Sequence, residues 1–260
     1  MKKFFVIGNP ISHSLSPELH NFWIKKNNIN AIYDKIKLEE KNLGDFVNKL
    51  RNNEIHGINV TVPFKNKIIK FVDKLSLEAE KTNSVNTIYK NGSEIIGHNT
   101  DVAGFELGLR HSKINILHKS ILILGAGGVV PSIIYSLLSM GSKKILLSSR
   151  TLEKSEKIKN KFVDINIYKW GEIPEFDIVI NATSVGLKGD NLGLNFDVKD
   201  KVFYDVIYNP RETPFLKEAR LKGNKTENGK LMFIYQANQS FSIWNNIIPK
   251  INEETLKIIE

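Results

Sequence analysis

The 260-residue sequence contains no cysteine. That excludes a disulfide framework, a thiolate metal site and a cysteine nucleophile, and it suits a reducing cytoplasm. Long apolar runs are also missing. Segments such as Ile121–Leu124 and Ile178–Ile180 fall far short of the roughly 20 residues that span a bilayer. The apolar stretch Phe4–Ile7 stops at Gly8-Asn9-Pro10, too early for the core of a signal peptide. No group of histidine, aspartate and glutamate has metal-ligand spacing, so no metal is expected. Internal repeats and low-complexity linkers are absent too. These gaps describe a cytoplasmic chain with no membrane partner.

What is present is ordinary globular composition, 41% hydrophobic and 25% charged, in a length that suits one large domain or two modest ones. The net charge is 37 − 28 = +9. The lysines are scattered, with no dense basic block and no interleaved aromatics, so a nucleic-acid partner is not expected. A positive field equally suits an anionic substrate or a phosphate-bearing cofactor.

Strand and helix patterns alternate along most of the chain. Lys3–Ile7 is a short buried strand, and Ser16-Pro17 predicts a helix N-cap followed by proline in the first turn. Strands are expected at Ala31–Lys37, Gly57–Val62, Val85–Tyr89 and Glu94–Gly97, with a hairpin turn at Asn91-Gly92. From Ser120 the rhythm becomes strictly strand–helix: Ser120–Leu124, Lys144–Leu147, Ile165–Tyr168, Asp177–Ile180 and Val202–Ile207 are strands. That alternation predicts a parallel, doubly wound sheet with helices on both faces. The tail from about Leu231 to Ile259 reads as two helices split by Pro249.

Gly125-Ala126-Gly127-Gly128 lies where the first of these strands meets its helix. A Rossmann fold holds a pyrophosphate at that junction, using close backbone approach and free N–H groups at the helix start. The fingerprint departs from the usual pattern at Val130, followed by Pro131. The next strand ends in Ser149-Arg150-Thr151, with Lys154 one turn on, and no acid stands where an NAD ribose would be held. A guanidinium pairs well with a 2′-phosphate, so the site is read as selecting NADP(H). Elsewhere, Ser12-His13-Ser14-Leu15-Ser16-Pro17 offers two hydroxyls before a helix start, a geometry that can receive a carboxylate. Asn59-Val60-Thr61-Val62-Pro63-Phe64-Lys65, Asn86-Thr87 and Gly97-His98-Asn99-Thr100-Asp101 place further polar side chains at strand ends.

Taken together, these segments resemble the shikimate dehydrogenase family over nearly the whole length. The run from Gly8 to Asn21, Asn59–Lys65, Val85–Thr87 and Gly97–Asp101 carry the resemblance in the first half. In the second half it rests on Gly125–Gly128, Ser149–Thr151, Asn181–Gly186, Asp205–Pro210, Thr213-Pro214 and Gly229–Gln236. Ser149 and Val129-Val130-Pro131 depart from the family's habits.

The resemblance implies a two-domain α/β enzyme with an α/β substrate domain and a Rossmann-type NADP domain. Residues 1–101, completed by 230–260, would form the first, residues 102–229 the second, and the cleft between them would hold the reaction. The implied reaction is the NADPH-dependent reduction of 3-dehydroshikimate to shikimate, in aromatic amino-acid biosynthesis. Lys65 and Asp101 would be the catalytic pair. Ser14 and Ser16, with Tyr208, would hold the substrate carboxylate. Thr61, Asn86, Asp101 and Gln236 would bind ring hydroxyls. The cofactor would lie against Gly125, Ala126, Gly127, Gly128, Ser149, Arg150, Thr151, Lys154, Thr183, Gly229 and Met232. His13 is taken as structural, and the assembly as a monomer or homodimer. Two alternatives stay open: a related dehydrogenase that also takes quinate, and a catalytically silent NADP-binding sensor.

Overall fold

Phe4, Val6 and Ile7 bury the first strand, β1 (Lys2–Gly8), between two parallel neighbours, β2 (Ala31–Lys37) and β3 (Gly57–Val60). The computed structural model describes residues 1–259. Helices α1 (Ser16–Lys26) and α2 (Leu43–Arg51) follow β1 and β2. On α2 the buried residues Leu43, Phe46, Val47 and Leu50 recur at helical spacing and form one face. After a short strand β4 (Lys74–Leu75) and α3 (Leu77–Thr82), the hairpin β5 (Thr87–Asn91) and β6 (Glu94–His98) completes a mixed sheet of order β2-β1-β3-β5-β6-β4. Its two-residue loop is Gly92-Ser93, one residue beyond the Asn91-Gly92 turn read from sequence: Asn91 pairs with Glu94, and Gly92 takes the positive φ of 59° at the first loop position.

After α4 (Thr100–His111), a second sheet is built from β7 (Ser120–Leu124), β8 (Lys144–Ser149), β9 (Ile165–Lys169), β10 (Ile178–Asn181), β11 (Val202–Asp205) and β12 (Lys225–Glu227). All its pairings are parallel, in the order β12-β11-β10-β7-β8-β9. This is the doubly wound Rossmann order, with the strand sequence reversing direction at β7. Ile121, Ile123, Ile145, Leu147, Ile178 and Ile180 face one apolar layer, and Leu122, Leu124, Leu146 and Val179 face the other. Both faces are covered, which is why these strands read as continuous apolar runs. Each such side chain contributes about 1.5–3 kcal/mol by burial. Helices α5 (Val130–Ser139), α6 (Leu152–Lys159) and α7 (Pro214–Leu221) belong to this region. The chain ends in α8 (Lys230–Asn245) and α9 (Glu253–Lys257).

The chain divides into two compact units. One comprises Met1–Gly104 with the segment from Ile234 onward, and the other is Phe105–Phe233. Both changes of unit fall inside helices, α4 and α8, so no linker composition marks them.

One local expectation is corrected. Ser16 is the first residue of α1, Leu15 occupies the cap position without a side-chain hydrogen bond, and the Ser16 N–H is met instead by Ser14 Oγ at 3.3 Å. Pro17 in the first turn supplies no N–H that would need capping.

Candidate active site

In the first unit, Lys65 follows β3 on a turn anchored by the buried Phe64, whose N–H reaches the Thr61 carbonyl at 3.0 Å. The Lys65 carbonyl accepts the Val85 N–H at 2.8 Å, fixing this turn beside β5. Asp101 lies in the first turn of α4, its N–H donating to Asn99 Oδ1 at 3.0 Å. The Lys65 ammonium meets Asp101 Oδ2 at 2.6 Å, with side-chain exposures of 15% and 7%. Breaking a pair this buried strands the remaining charge, at a cost of about 3–5 kcal/mol. The other Asp101 oxygen accepts Asn86 Nδ2 at 2.9 Å, and Gln236 Oε1 lies 3.5 Å from the same Nδ2. Asn86 Oδ1 in turn accepts the Thr100 N–H at 2.8 Å. Lys65, Asp101, Asn86 and Gln236 thus form one polar cluster, brought together from four separate stretches of sequence.

The hydroxyl loop belongs to the same unit. Ser14 Oγ accepts the Ser16 N–H at 3.3 Å, and Ser16 is buried while Ser14 stays half-exposed. The Lys35 ammonium braces this loop from β2, donating to the Ser12 carbonyl at 2.7 Å and the Ser14 carbonyl at 3.3 Å. Lys35 was not singled out from the sequence, where its strand position looks like a solvated one. Thr61 follows β3 half-exposed, its N–H bonded to the Ile7 carbonyl at 2.9 Å. His13 is exposed.

The second unit presents backbone rather than buried side chains. Gly125 leaves β7 with φ of 108°, and a Cβ there would stand 2.9 Å from Thr183 Cγ2 and 3.0 Å from the Ala182 carbonyl. Only glycine fits that close turn. Gly127 and Gly128 follow exposed, Ala126 half-exposed. At the end of β8 the Ser149 hydroxyl is turned onto Thr151 O at 2.9 Å and Ser155 Oγ at 2.8 Å, so it braces the loop. Arg150, Thr151 and Lys154 are exposed around it. Trp170 was missed in the sequence. It follows β9, packs its ring against the apolar layer, and carries the Arg150 guanidinium 5.9 Å from its centroid. A position just past a strand adjacent to β8 was the only available signal.

Thr183 donates to Asn181 Oδ1 at 2.7 Å and accepts the Val185 N–H at 3.1 Å. Asn181 Nδ2 rests on the buried carboxylate of Asp205, which also takes Thr213 Oγ1 at 2.7 Å and the Ile207 N–H at 3.0 Å. Burial pushes Asp205 up to about 6, against the opposing pull of these hydrogen bonds. Gly229 donates its N–H to the Ile207 carbonyl at 3.1 Å, and a Cβ there would collide with the Val206 carbonyl. Met232 is buried in this unit, and Tyr208 stacks on Phe233 at 4.5 Å.

A glycine turn at the sheet's switch point, with an exposed guanidinium at the end of the neighbouring strand, fits a dinucleotide bearing a 2′-phosphate. Among the described residues, no group of His, Asp and Glu could hold a metal ion, and no helix is long and apolar enough to cross a membrane.

Known proteins similar to this chain belong to one family. A family model described as shikimate dehydrogenase substrate binding domain matches residues 6–88, and one described as shikimate / quinate 5-dehydrogenase matches residues 108–188. A protein of Pelagibacter ubique named shikimate dehydrogenase (NADP(+)) is 53% identical, the match covering 100% of this chain and 99% of that one. The crystal structure of the Aquifex aeolicus shikimate dehydrogenase is similar at a TM-score of 0.90 and 34% identity, over 100% of this chain and 97% of that one. The Thermus thermophilus shikimate 5-dehydrogenase, solved in complex with NADP(H) and shikimate, gives a TM-score of 0.91 at 27% identity, over 100% and 98%. Fold order, motif sequence and full-length similarity converge, and the chain belongs to the shikimate dehydrogenase family.

Proposed function

We propose that this chain catalyses the reversible, NADP-dependent reduction of 3-dehydroshikimate to shikimate, with Lys65 and Asp101 as its catalytic pair. The observation that carries the reading is the Lys65–Asp101 contact of 2.6 Å, largely buried and set against the amides of Asn86 and Gln236. Bound NADPH supplies the hydride that the ketone carbon accepts. Negative charge then builds on the carbonyl oxygen, and the Lys65 ammonium stabilises it and delivers the proton. In the oxidation direction the amine takes the proton of the same hydroxyl. Asp101 holds the ammonium in place and accepts from a ring hydroxyl, with Thr61, Asn86 and Gln236 ordering the others. Ser14 and Ser16, with Tyr208, receive the carboxylate through neutral donors.

On the cofactor side, Gly125, Ala126, Gly127 and Gly128 approach the pyrophosphate through their backbone. Arg150 and Lys154 pair with the 2′-phosphate. Thr183, Gly229 and Met232 line the remainder of the cofactor's path, and Ser149 with Thr151 shapes the loop that presents Arg150. The reaction serves aromatic amino-acid biosynthesis, and we place the enzyme in the cytoplasm as a monomer or homodimer. The test is NADP+ reduction by the purified chain at alkaline pH with shikimate, then quinate. Turnover with shikimate supports the reading, and silence with both substrates overturns it in favour of a binding-only role.

A further inference from the structure

We propose that Tyr33 and Asn59 are positioning residues for the Lys65–Asp101 pair, acting through a one-way hydrogen-bond relay that ends on the Asp101 carboxylate. The proposal rests on the catalytic role given to that pair above. Tyr33, on β2, is buried, and its hydroxyl donates to Asn59 Oδ1 at 2.7 Å. Asn59 Nδ2 donates to Thr87 Oγ1 and to the Asn86 carbonyl, both at 3.1 Å. Thr87 Oγ1 donates to Asn86 Oδ1 at 3.0 Å, and Asn86 Nδ2 donates to Asp101 Oδ1 at 2.9 Å. The far Asp101 oxygen meets Lys65.

The direction of this relay follows from groups that can play only one role. The Asn86 carbonyl only accepts, so the amide nitrogen of Asn59 must face it and Oδ1 must face Tyr33. The Thr100 N–H only donates, so Asn86 must turn Oδ1 towards it and its nitrogen towards Asp101. The Thr87 hydroxyl also lies 3.2 Å from Thr100 Oγ1, which itself donates to Asn86 Oδ1 at 3.1 Å, so by either route the donors run towards the carboxylate, and donors aligned this way polarise one another. Tyr33 is suited to head the line. Burial holds its phenol well above the usual tyrosine range, against the smaller opposing pull of a hydrogen bond with the Ser16 side chain, so it stays a neutral O–H donor. The ring of His20 lies flat against it, 4.1 Å away at 5°. Burial lowers His20 to about 3, so that ring is neutral as well. No member of the relay from Tyr33 to Asn86 carries a charge, and the first charge it meets is the one that holds the catalytic ammonium.

The relay also explains why Asn59 and Thr87, on antiparallel neighbours β3 and β5, are polar in an otherwise apolar sheet interior.

The experiment is steady-state kinetics on Tyr33→Phe, Thr87→Val, Thr87→Ser and Lys65→Met, with circular dichroism to confirm folding. Tyr33→Phe keeps the stacked ring and removes the hydroxyl, which also partners the Ser16 side chain, so Thr87→Val is the arm that cuts the relay without touching the carboxylate loop. The Tyr33→Phe kcat falls about tenfold, the equivalent of one misplaced hydrogen bond in the transition state, while KM for NADP+ stays unchanged. Thr87→Val keeps the shape, cuts the relay in its middle and gives a similar loss. Thr87→Ser restores the hydroxyl and recovers most of the rate, although it packs worse, an order of activities that a packing role would reverse. Lys65→Met at near-normal turnover overturns the catalytic reading and the relay together. An inactive Lys65→Met beside folded Tyr33→Phe and Thr87→Val enzymes of full kcat overturns the relay alone.

Discussion

The two units handle polar groups in opposite ways. In the first, a carboxylate, an ammonium and several amides and hydroxyls are buried together, each already hydrogen-bonded. In the second, the elements to which we assign the cofactor are glycine backbone and exposed cations, Gly127, Gly128, Arg150 and Lys154. Proton transfer requires groups fixed to a fraction of an ångström before the substrate arrives. A phosphate asks less, because N–H groups at a helix start and a mobile cation reach it over a range of positions. The units' two buried carboxylates sharpen the point. Asp101 faces an ammonium, whereas Asp205 has neutral donors, namely Asn181, Thr213 and the Ile207 N–H. We assign the first to chemistry and the second to bracing the loops after β10 and β11.

Lys65→Met tests the contrast most severely. If the first unit carries the proton chemistry, kcat drops by roughly 10²–10⁴ while shikimate affinity, read by calorimetry, changes little. Near-normal turnover would move the chemistry elsewhere, with the exposed His13 next to examine. Replacing Ser14 and Ser16 together by alanine weakens shikimate binding, each lost charge-assisted bond costing about 1.5–3 kcal/mol, and leaves NADP+ binding intact. A double variant with unchanged shikimate affinity would reduce that loop to scaffolding. Arg150→Ala raises the NADP+ KM at least about tenfold and leaves shikimate KM near its starting value. Trp170→Leu moves the same constant in the same direction by less, since it only steadies the guanidinium. Equal use of NAD+ and NADP+ by the unaltered chain would end this assignment.

A last expected effect is on stability rather than on kinetics. Asp205 binds its proton more tightly folded, at about 6, than the roughly 3.9 of an unfolded aspartate. Its contribution to the folded state is therefore full below about pH 4 and is lost as pH rises through about 6, a change on the order of 3 kcal/mol. Asp205→Asn abolishes that titration. The difference in urea-unfolding free energy, wild type minus variant, should fall between about pH 4 and pH 6 and then level off. A difference that rises with pH, or stays flat throughout, would contradict the assignment.

Much of this was legible because the informative residues sit in short contiguous stretches. Asn59–Lys65 and Gly97–Asp101 each place a member of the buried Lys65–Asp101 pair next to turn-forming neighbours, and Arg150, exposed after β8, is marked by the missing acid there. The Rossmann order follows from strict alternation of strand and helix. What stayed hidden depends on partners far apart in sequence. Nothing in spacing pairs Tyr33 with Asn59, or Asn59 with Thr87, because β3 and β5 become neighbours only after an intervening excursion through β4 and α3. The short strands β4 and β12 carry too few residues for any periodicity. Ser16 misled for a related reason: serine before proline signals a cap by frequency, while its actual place was decided by the turn at Leu15.

Trp244, on α8, stacks on Phe4 of β1 at 5.0 Å and donates its indole N–H to the Ile88 carbonyl of β5 at 3.1 Å. The first strand and the last long helix are thus partners, separated in the chain by the whole of the second unit. Phe105–Phe233 is contiguous and contains every strand of its own sheet, whereas the first unit is incomplete without the residues from Ile234 onward. Gln236 arrives with that same segment, so the polar cluster around Lys65 and Asp101 gains its last member late in synthesis. A released chain truncated before Ile234 should hold a protease-resistant second unit beside a first unit that is still readily cut.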